Sequence, residues 1–298
     1  MSRLSRRGLL SSGIALAAAS TARANRAFAT QGADTSKLAK TPHTRFACNI
    51  EMWGFGGVPY EERIKKAHEL GFSAVEFWPW RGKDLDKIEK ACKDFGIEIA
   101  QFTGWGFSPG MNNPANHAKL VEEIKESCKV ANRLGVKNVL VVAGNNQPGM
   151  TLEEMHKHVI DGLKLIVPVA EEHDITLVLE PMNGRVDHPG HCLYGSEPAV
   201  KICKAVNSPR VKICWDLYHM QISEGDLCGH LKDGKEWIGY VQLADHPGRT
   251  EPGTGEIQYT RVFKQLIELG YHGYIGVECN PSVDELTATK ALALADQW

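Results

Sequence analysis

Residues 175–181 read Ile175-Thr-Leu-Val-Leu-Glu180-Pro181, and residues 211–216 read Val211-Lys-Ile-Cys-Trp215-Asp216. Each is a short run, nearly continuous in apolar residues, that closes on a carboxylate. A strand buried on both faces of a parallel sheet reads this way. Extended over Ile175–Met182 and Val211–Leu217, these two runs are the fifth and sixth of a series. The others are Phe46–Met52, Ala74–Trp78, Ile97–Phe102, Asn138–Ala143, Ile238–Ala244 and Tyr274–Cys279. Between the runs lie segments of helical period with charged outer faces. Pro59–Leu70 ends at Gly71, and Tyr259–Leu269 ends at Gly270. Asn113 and Pro114 read as N-cap and first residue of a helix that runs to Leu134, before Gly135. Thr151-Leu-Glu-Glu154 has capping-box spacing and opens a helix to about Glu172. Eight βα units predict an α/β fold, a single (β/α)8 TIM barrel over residues 44–298. A doubly wound sheet is the alternative, but no Gly-x-Gly-x-x-Gly follows the first strand.

The chain has 298 residues, 43% of them hydrophobic and 23% charged, with a net charge of −2. That composition is globular and excludes disorder. Residues 1–29 hold five arginines and no acidic group. They run from Ser5-Arg6-Arg7-Gly8-Leu9-Leu10, a twin-arginine pattern, through an Ala-rich apolar stretch to Ala22-Arg23-Ala24 and Ala27-Phe28-Ala29. This is the order of an export signal, which predicts a periplasmic protein. The apolar stretch falls short of the roughly 20 residues of a membrane-spanning helix, so no stable membrane anchor is expected. Residues 30–43 read as a flexible lead into the barrel. Without residues 1–29 the chain carries 29 basic and 36 acidic groups, a net of −7. A surplus of acid argues against a nucleic-acid partner, whose phosphates need a basic surface. The eight cysteines form no Cys-x-x-Cys, so neither a zinc ribbon nor a redox pair is legible.

In a barrel, chemistry collects at the C-terminal ends of the strands. The last four runs carry Glu180, Asp216, Gln242 and Glu278 there, separated by 36, 26 and 36 residues, about one βα unit each. They are expected to converge on one pole. Three carboxylates at close range repel and raise one another's pKa, and a divalent cation relieves that cost. An all-oxygen set favours Mn2+ or Mg2+ over zinc. His219, three residues after Asp216, is a substrate-binding candidate that could instead only cap the next helix. Arg249, in Asp245-His-Pro-Gly-Arg249-Thr-Glu-Pro252, could hold a substrate carboxylate in a bidentate pair or form a loop salt bridge. Trp53, Phe77, Trp78, Trp80, Trp105 and Phe107, near the ends of the first three strands, are candidates for an apolar pocket wall. Asp-His-Pro-Gly occurs at 187–190 and again at 245–248, and turn chemistry is enough to explain both copies.

Leu-Glu180-Pro181, Trp215-Asp216-Leu-Tyr-His219, Val-Gln242-Leu-Ala and Gly276-Val-Glu278 resemble the sugar-phosphate isomerase/epimerase superfamily of xylose isomerase-like barrels. Within it the chain is most similar to the hydroxypyruvate isomerase family. Gln242 stands where ketose 3-epimerases typically carry a metal-binding His. Arg249-x-Glu251-Pro252 with Gly255-Glu-Ile257, Asn49-Ile-Glu-Met52 and Ala74-Val-Glu76-Phe77 are also similar, and the likeness spans about residues 44–297. The resemblance implies that Glu180 and Glu278 are both metal ligands and acid/base groups, with Asp216 and Gln242 completing the ligand set. It implies enediolate proton transfer on a small α-hydroxycarbonyl substrate, with hydroxypyruvate going to tartronate semialdehyde. A ketose 3-epimerase, and more remotely a non-catalytic sugar-binding barrel, are the alternatives. Barrels of this family commonly form dimers or tetramers, so a homo-oligomer is compatible with the resemblance.

Overall fold

The computed structural model describes residues 34–298. The export signal expected over residues 1–29 lies outside them. The strands are β1 (Arg45–Asn49), β2 (Ala74–Pro79), β3 (Glu98–Trp105), β4 (Asn138–Val142), β5 (Thr176–Glu180), β6 (Val211–Asp216), β7 (Ile238–Leu243) and β8 (Tyr274–Val277). They pair in parallel in chain order, and β1 closes on β8 with Phe46 opposite Ile275. The helices are α1 (Tyr60–Glu69), α2 (Leu85–Phe95), α3 (His117–Leu134), α4 (Leu152–Glu172), α5 (Ser196–Val206), α6 (Leu217–Ser223), α7 (Leu227–Asp233), α8 (Tyr259–Glu268) and α9 (Glu285–Ala295). The eight βα units are present, and the sixth carries two helices, α6 and α7. Among the described residues no helix is long and apolar enough to cross a membrane. All eight cysteines are free thiols.

The local signals act where their chemistry predicts. Thr151 Oγ1 accepts the Glu154 N–H at 3.2 Å and Glu154 Oε2 accepts the Thr151 N–H at 2.8 Å, so the capping box opens α4. Gly135, with φ 73°, closes α3 in the left-handed region that a side chain would strain. Several boundaries differ from the sequence reading, such as β3, which runs on past Phe102 to Trp105, and two of the differences have a clear local cause. Asn113 caps a 3-10 turn, Pro114–Asn116, and α3 starts after it. β1 stops at Asn49 and does not reach Met52, because Asn49 Oδ1 accepts the N–H groups of Glu51 and Met52 and turns the chain.

Two apolar clusters hold the barrel. One lies between sheet and helices, with Phe46, Phe263, Ile64, Leu163 and Trp215 fully buried. Each such side chain contributes about 1.5–3 kcal/mol of burial. The other fills the barrel interior with Ala47, Ala74, Val178, Cys214 and Tyr240. Strand side chains alternate, so the residue two positions on from each of these also faces inward. Those residues are Asn49, Glu76, Glu180, Asp216 and Gln242. The floor of the barrel is therefore small and apolar, and the layer above it is polar. In β8 the interior position is Gly276. A Cβ there would fall 2.2 Å from Glu76 Oε2, so only glycine leaves room for that carboxylate.

Candidate active site

Glu180, Asp216, His219 and Glu278 are all buried, and one polar atom from each lies within 4.8 Å of the others. Asp216 ends β6 and caps α6: its Oδ1 accepts the N–H of Tyr218 at 2.7 Å and of His219 at 3.2 Å. That leaves Oδ2 buried without a partner. Burial pushes the Asp216 carboxyl up, against the pull of Arg249. Burial also raises Glu180 well above the carboxylate range, and the charges of Glu278 and Asp216 add to it. An orphaned carboxylate oxygen beside two further buried carboxylates fits a divalent cation. Glu180, Asp216 and Glu278 would hold it.

His219 is part of this cluster, with Nε2 3.7 Å from Glu180 Oε1 and 3.8 Å from Asp216 Oδ2. Its tautomer follows from Asn183. Asn183 Oδ1 accepts the N–H groups of Val186 and Asp187, which fixes the amide. Asn183 Nδ2 then donates to His219 Nδ1 at 2.7 Å. The neutral ring carries its proton on Nε2, aimed among the carboxylates with no protein partner. Burial, with the Arg249 charge, pushes the imidazole pKa down to about 3, so the ring stays neutral. In this tautomer the ring offers the site a hydrogen-bond donor and not a lone pair.

Glu278 follows β8, and both its oxygens are held. Trp78 Nε1 donates to Oε1 at 2.8 Å, and Arg249 Nη2 donates to Oε2 at 2.7 Å. Arg249 reaches the site from a loop knitted by Asp245. That buried carboxylate accepts the N–H groups of His246, Gly253, Gly255 and Ile257. Arg249 Nη1 faces Asp187 Oδ1 at 3.7 Å. The free bidentate clamp read from the sequence is thus drawn to protein carboxylates, and Nε is left buried and unpartnered.

Gln242 pairs in register with Asp216 across β6 and β7. Its Nε2 donates to Glu76 Oε1 at 3.0 Å, and its Oε1 accepts the Cys214 thiol at 2.9 Å. As a ligand it would use the second lone pair of Oε1. Glu76 is a residue the site reading missed. It takes hydrogen bonds from Asn49, Gln101 and Gln242, and burial followed by the Glu278 charge raises its pKa to about 7. The signal was a lone acid inside the apolar Ala74–Phe77 run.

Above the cluster opens a cavity of about 590 Å3. Glu180, Glu278, His219 and Arg249 face it, with Trp78, Trp80, Trp105 and Phe107 along one wall. Trp53 and Phe77, also read as wall candidates, are fully buried in the core instead. Phe77 lies on the helix-facing side of β2, and Trp53, past the end of β1, packs edge-on against Phe72. The Asp-His-Pro-Gly repeat, read as two turns, does more. Asp187 faces Arg249, His188 stacks on Phe107 at 5.0 Å and meets His219 edge-on at 5.3 Å, and Asp245 is the keystone of the Arg249 loop.

The family model that matches the chain, over residues 64–296, is described as a xylose isomerase-like TIM barrel. The chain is 30% identical over 243 residues to the hydroxypyruvate isomerase of Escherichia coli (strain K12), covering 80% of this chain and 93% of that one. It is 29% identical over 247 residues to the 2-oxo-tetronate isomerase of Pectobacterium atrosepticum, covering 80% and 92%. A solved structure titled AP endonuclease, family 2, from Brucella melitensis superposes with a TM-score of 0.77 at 28% identity, covering 82% of this chain and 96% of that one.

Proposed function

This chain belongs to the xylose isomerase-like TIM barrel family and is an isomerase, and we propose that it moves a proton on an α-hydroxycarbonyl substrate with the help of one divalent cation, Mn2+ or Mg2+. The observation that carries the reading is the cluster of Glu180, Asp216 and Glu278 on the cavity floor, with Asp216 Oδ2 orphaned. When bound, the cation supplies Lewis-acid polarisation of the substrate's carbonyl and hydroxyl oxygens.

The chain's own groups do the rest. Glu180 and Glu278 carry the proton: one takes it from the carbon beside the carbonyl, leaving an enediolate, and the other returns one. Arg249 and the Trp78 N–H keep the Glu278 carboxylate in place through that exchange. The His219 Nε2–H stabilises negative charge on a substrate oxygen, and Asn183 keeps that proton there. The aromatic wall beside the cluster shields the intermediate from water. Hydroxypyruvate and 2-oxo-tetronate, which the relatives' names carry, are the first substrates to present, followed by ketoses for a 3-epimerase outcome. A nuclease of this barrel type would want several histidine ligands and a basic groove, whereas this cluster has one histidine and the −7 charge remains. On residues 1–29 we also place the enzyme in the periplasm, which a signal–reporter fusion would test.

The decisive assay is deuterium uptake in D2O with Mn2+ or Mg2+ added. Exchange at the carbon beside the carbonyl should fall by about 10²-fold or more in Glu278→Gln and in Glu180→Gln. It should also stop with chelator. Metal binding without exchange on any α-hydroxycarbonyl would leave the non-catalytic barrel as the answer.

A further inference from the structure

The reacting end of hydroxypyruvate is the whole molecule, seven non-hydrogen atoms with a carboxylate. The cavity over the carboxylate cluster is about 590 Å3. At roughly 30 Å3 per water-sized site it has room for about 20 non-hydrogen atoms. Resting on the isomerase reading above, we propose that the substrate is an uncharged, glycoside-sized α-hydroxyketone, whose second ring lies along the aromatic wall.

Three observations support this beyond volume. First, the wall is built and held. Trp78 is 40% exposed, yet its indole N–H is fixed on Glu278, so an apolar ring face stands open beside the reacting centre. Trp80 is pinned from two sides, by Nε1 on Ser127 Oγ at 2.9 Å and by the Arg81 guanidinium over its ring at 4.2 Å. A rigid, open aromatic surface fits the C–H face of a sugar ring. Second, Trp105 lines the same cavity at 4% exposure, and its indole N–H has no partner. A buried donor without an acceptor is costly, and a ligand hydroxyl or ring oxygen would satisfy it. Third, the cations are committed. Arg249 holds Glu278, and Arg81 makes a two-pronged pair with Glu123 at 2.7 and 2.9 Å. Lys119, the remaining cation along the cavity, is solvent-exposed and not part of the buried carboxylate cluster. The lining therefore offers stacking and neutral donors where a second sugar would lie, and no unpaired side-chain cation at the floor for an acid.

The chemistry needs no co-reactant. The C–H bond beside the ketone breaks, its electron pair forms the enediolate double bond, and the proton passes to a glutamate. A proton then returns to the same carbon from the opposite face, or to the former carbonyl carbon while the hydroxyl proton passes to the former carbonyl oxygen, with no net change of atoms or electrons. The second ring stays attached throughout.

The test compares deuterium uptake in D2O by the Mn2+-loaded full chain with hydroxypyruvate, fructose and isomaltulose, a glucosylated fructose. We expect kcat/KM for isomaltulose to exceed both others by at least tenfold. In Trp80→Leu, and separately in Phe107→Ala, the isomaltulose-to-fructose ratio should fall by about tenfold. In Trp105→Phe, which keeps shape and deletes the donor, KM for isomaltulose should rise. Hydroxypyruvate outpacing isomaltulose would overturn this inference and leave the isomerase reading standing. An isomaltulose-to-fructose ratio unmoved by all three variants would overturn it as well. No exchange with any substrate would sink the isomerase reading, and the inference with it.

Discussion

Replacing Arg249 with Met would remove the one cation buried among the site's carboxylates. Arg249 bonds Glu278 at 2.7 Å and faces Asp187 at 3.7 Å, with 18% of its own side chain and 6% of that of Glu278 exposed. Breaking a buried ion pair by deleting one partner costs about 3–5 kcal/mol, and the residual exposure of Arg249 argues for the lower end, about 3. For a barrel of this size that is a fall of about 6 °C in melting temperature. The pH dependence follows from the charges. Burial holds Glu180 and Asp216 above their usual carboxylate values against the pull of Arg249, so its loss lets them rise further. An acid whose folded pKa stands above its unfolded value weakens the fold at any pH above the unfolded value, and the penalty grows until the pH passes the folded pKa. The loss should therefore be larger at pH 8 than at pH 5, where the raised carboxyls take up protons. Calorimetry on apo protein in chelator, at both pH values, reads it. An equal loss at both would mean that Arg249 acts through packing of its chain, and no loss would mean that the pair is not formed.

Mn2+ should raise the melting temperature of the wild type, by the equivalent of about 2.7 kcal/mol at a hundredfold excess over its Kd, and Asp216→Asn should abolish most of that gain in the same calorimeter. Asn183→Asp replaces a donor to His219 Nδ1 with an acceptor, which moves the ring proton to Nδ1; exchange should fall by about 10²-fold or more with little change in KM. Nitrogen NMR of the ring would show the tautomer switch, and an unswitched ring would refute the assignment. Gly276→Ala drives a methyl to 2.2 Å from Glu76 Oε2 and should cost about 1–3 kcal/mol by urea unfolding. Glu76→Ala in the same chain should recover much of it, whereas strictly additive losses would place the strain elsewhere.

The barrel was legible because each strand is buried on both faces, and burial on both faces writes a local pattern into five or six residues. The polar residue closing each of the last four runs was legible for the same reason: strand ends are where a buried run may stop being apolar. Thr151 and Gly135 were legible because a cap is a matter of three or four residues. Chain folding decided what those ends touch. Glu76 reads as one acid in an apolar run, and its partners Asn49, Gln101 and Gln242 stand 27, 25 and 166 residues away. Trp78 and Arg249 meet on Glu278 across 200 and 29 residues, and of the two readings the sequence left open for Arg249, substrate clamp or salt bridge, the fold makes the salt bridge. The proton on His219 Nε2 depends on an amide 36 residues back. In β2, Phe77 went to the core while Trp78 went to the cavity, a choice of face that one residue of register reverses. Local pattern determines which residues are buried in a strand. Only closure of the barrel, which brings β1 beside β8, determines which buried groups share one space, and electrostatics and hydrogen bonding act across that space and not along the chain.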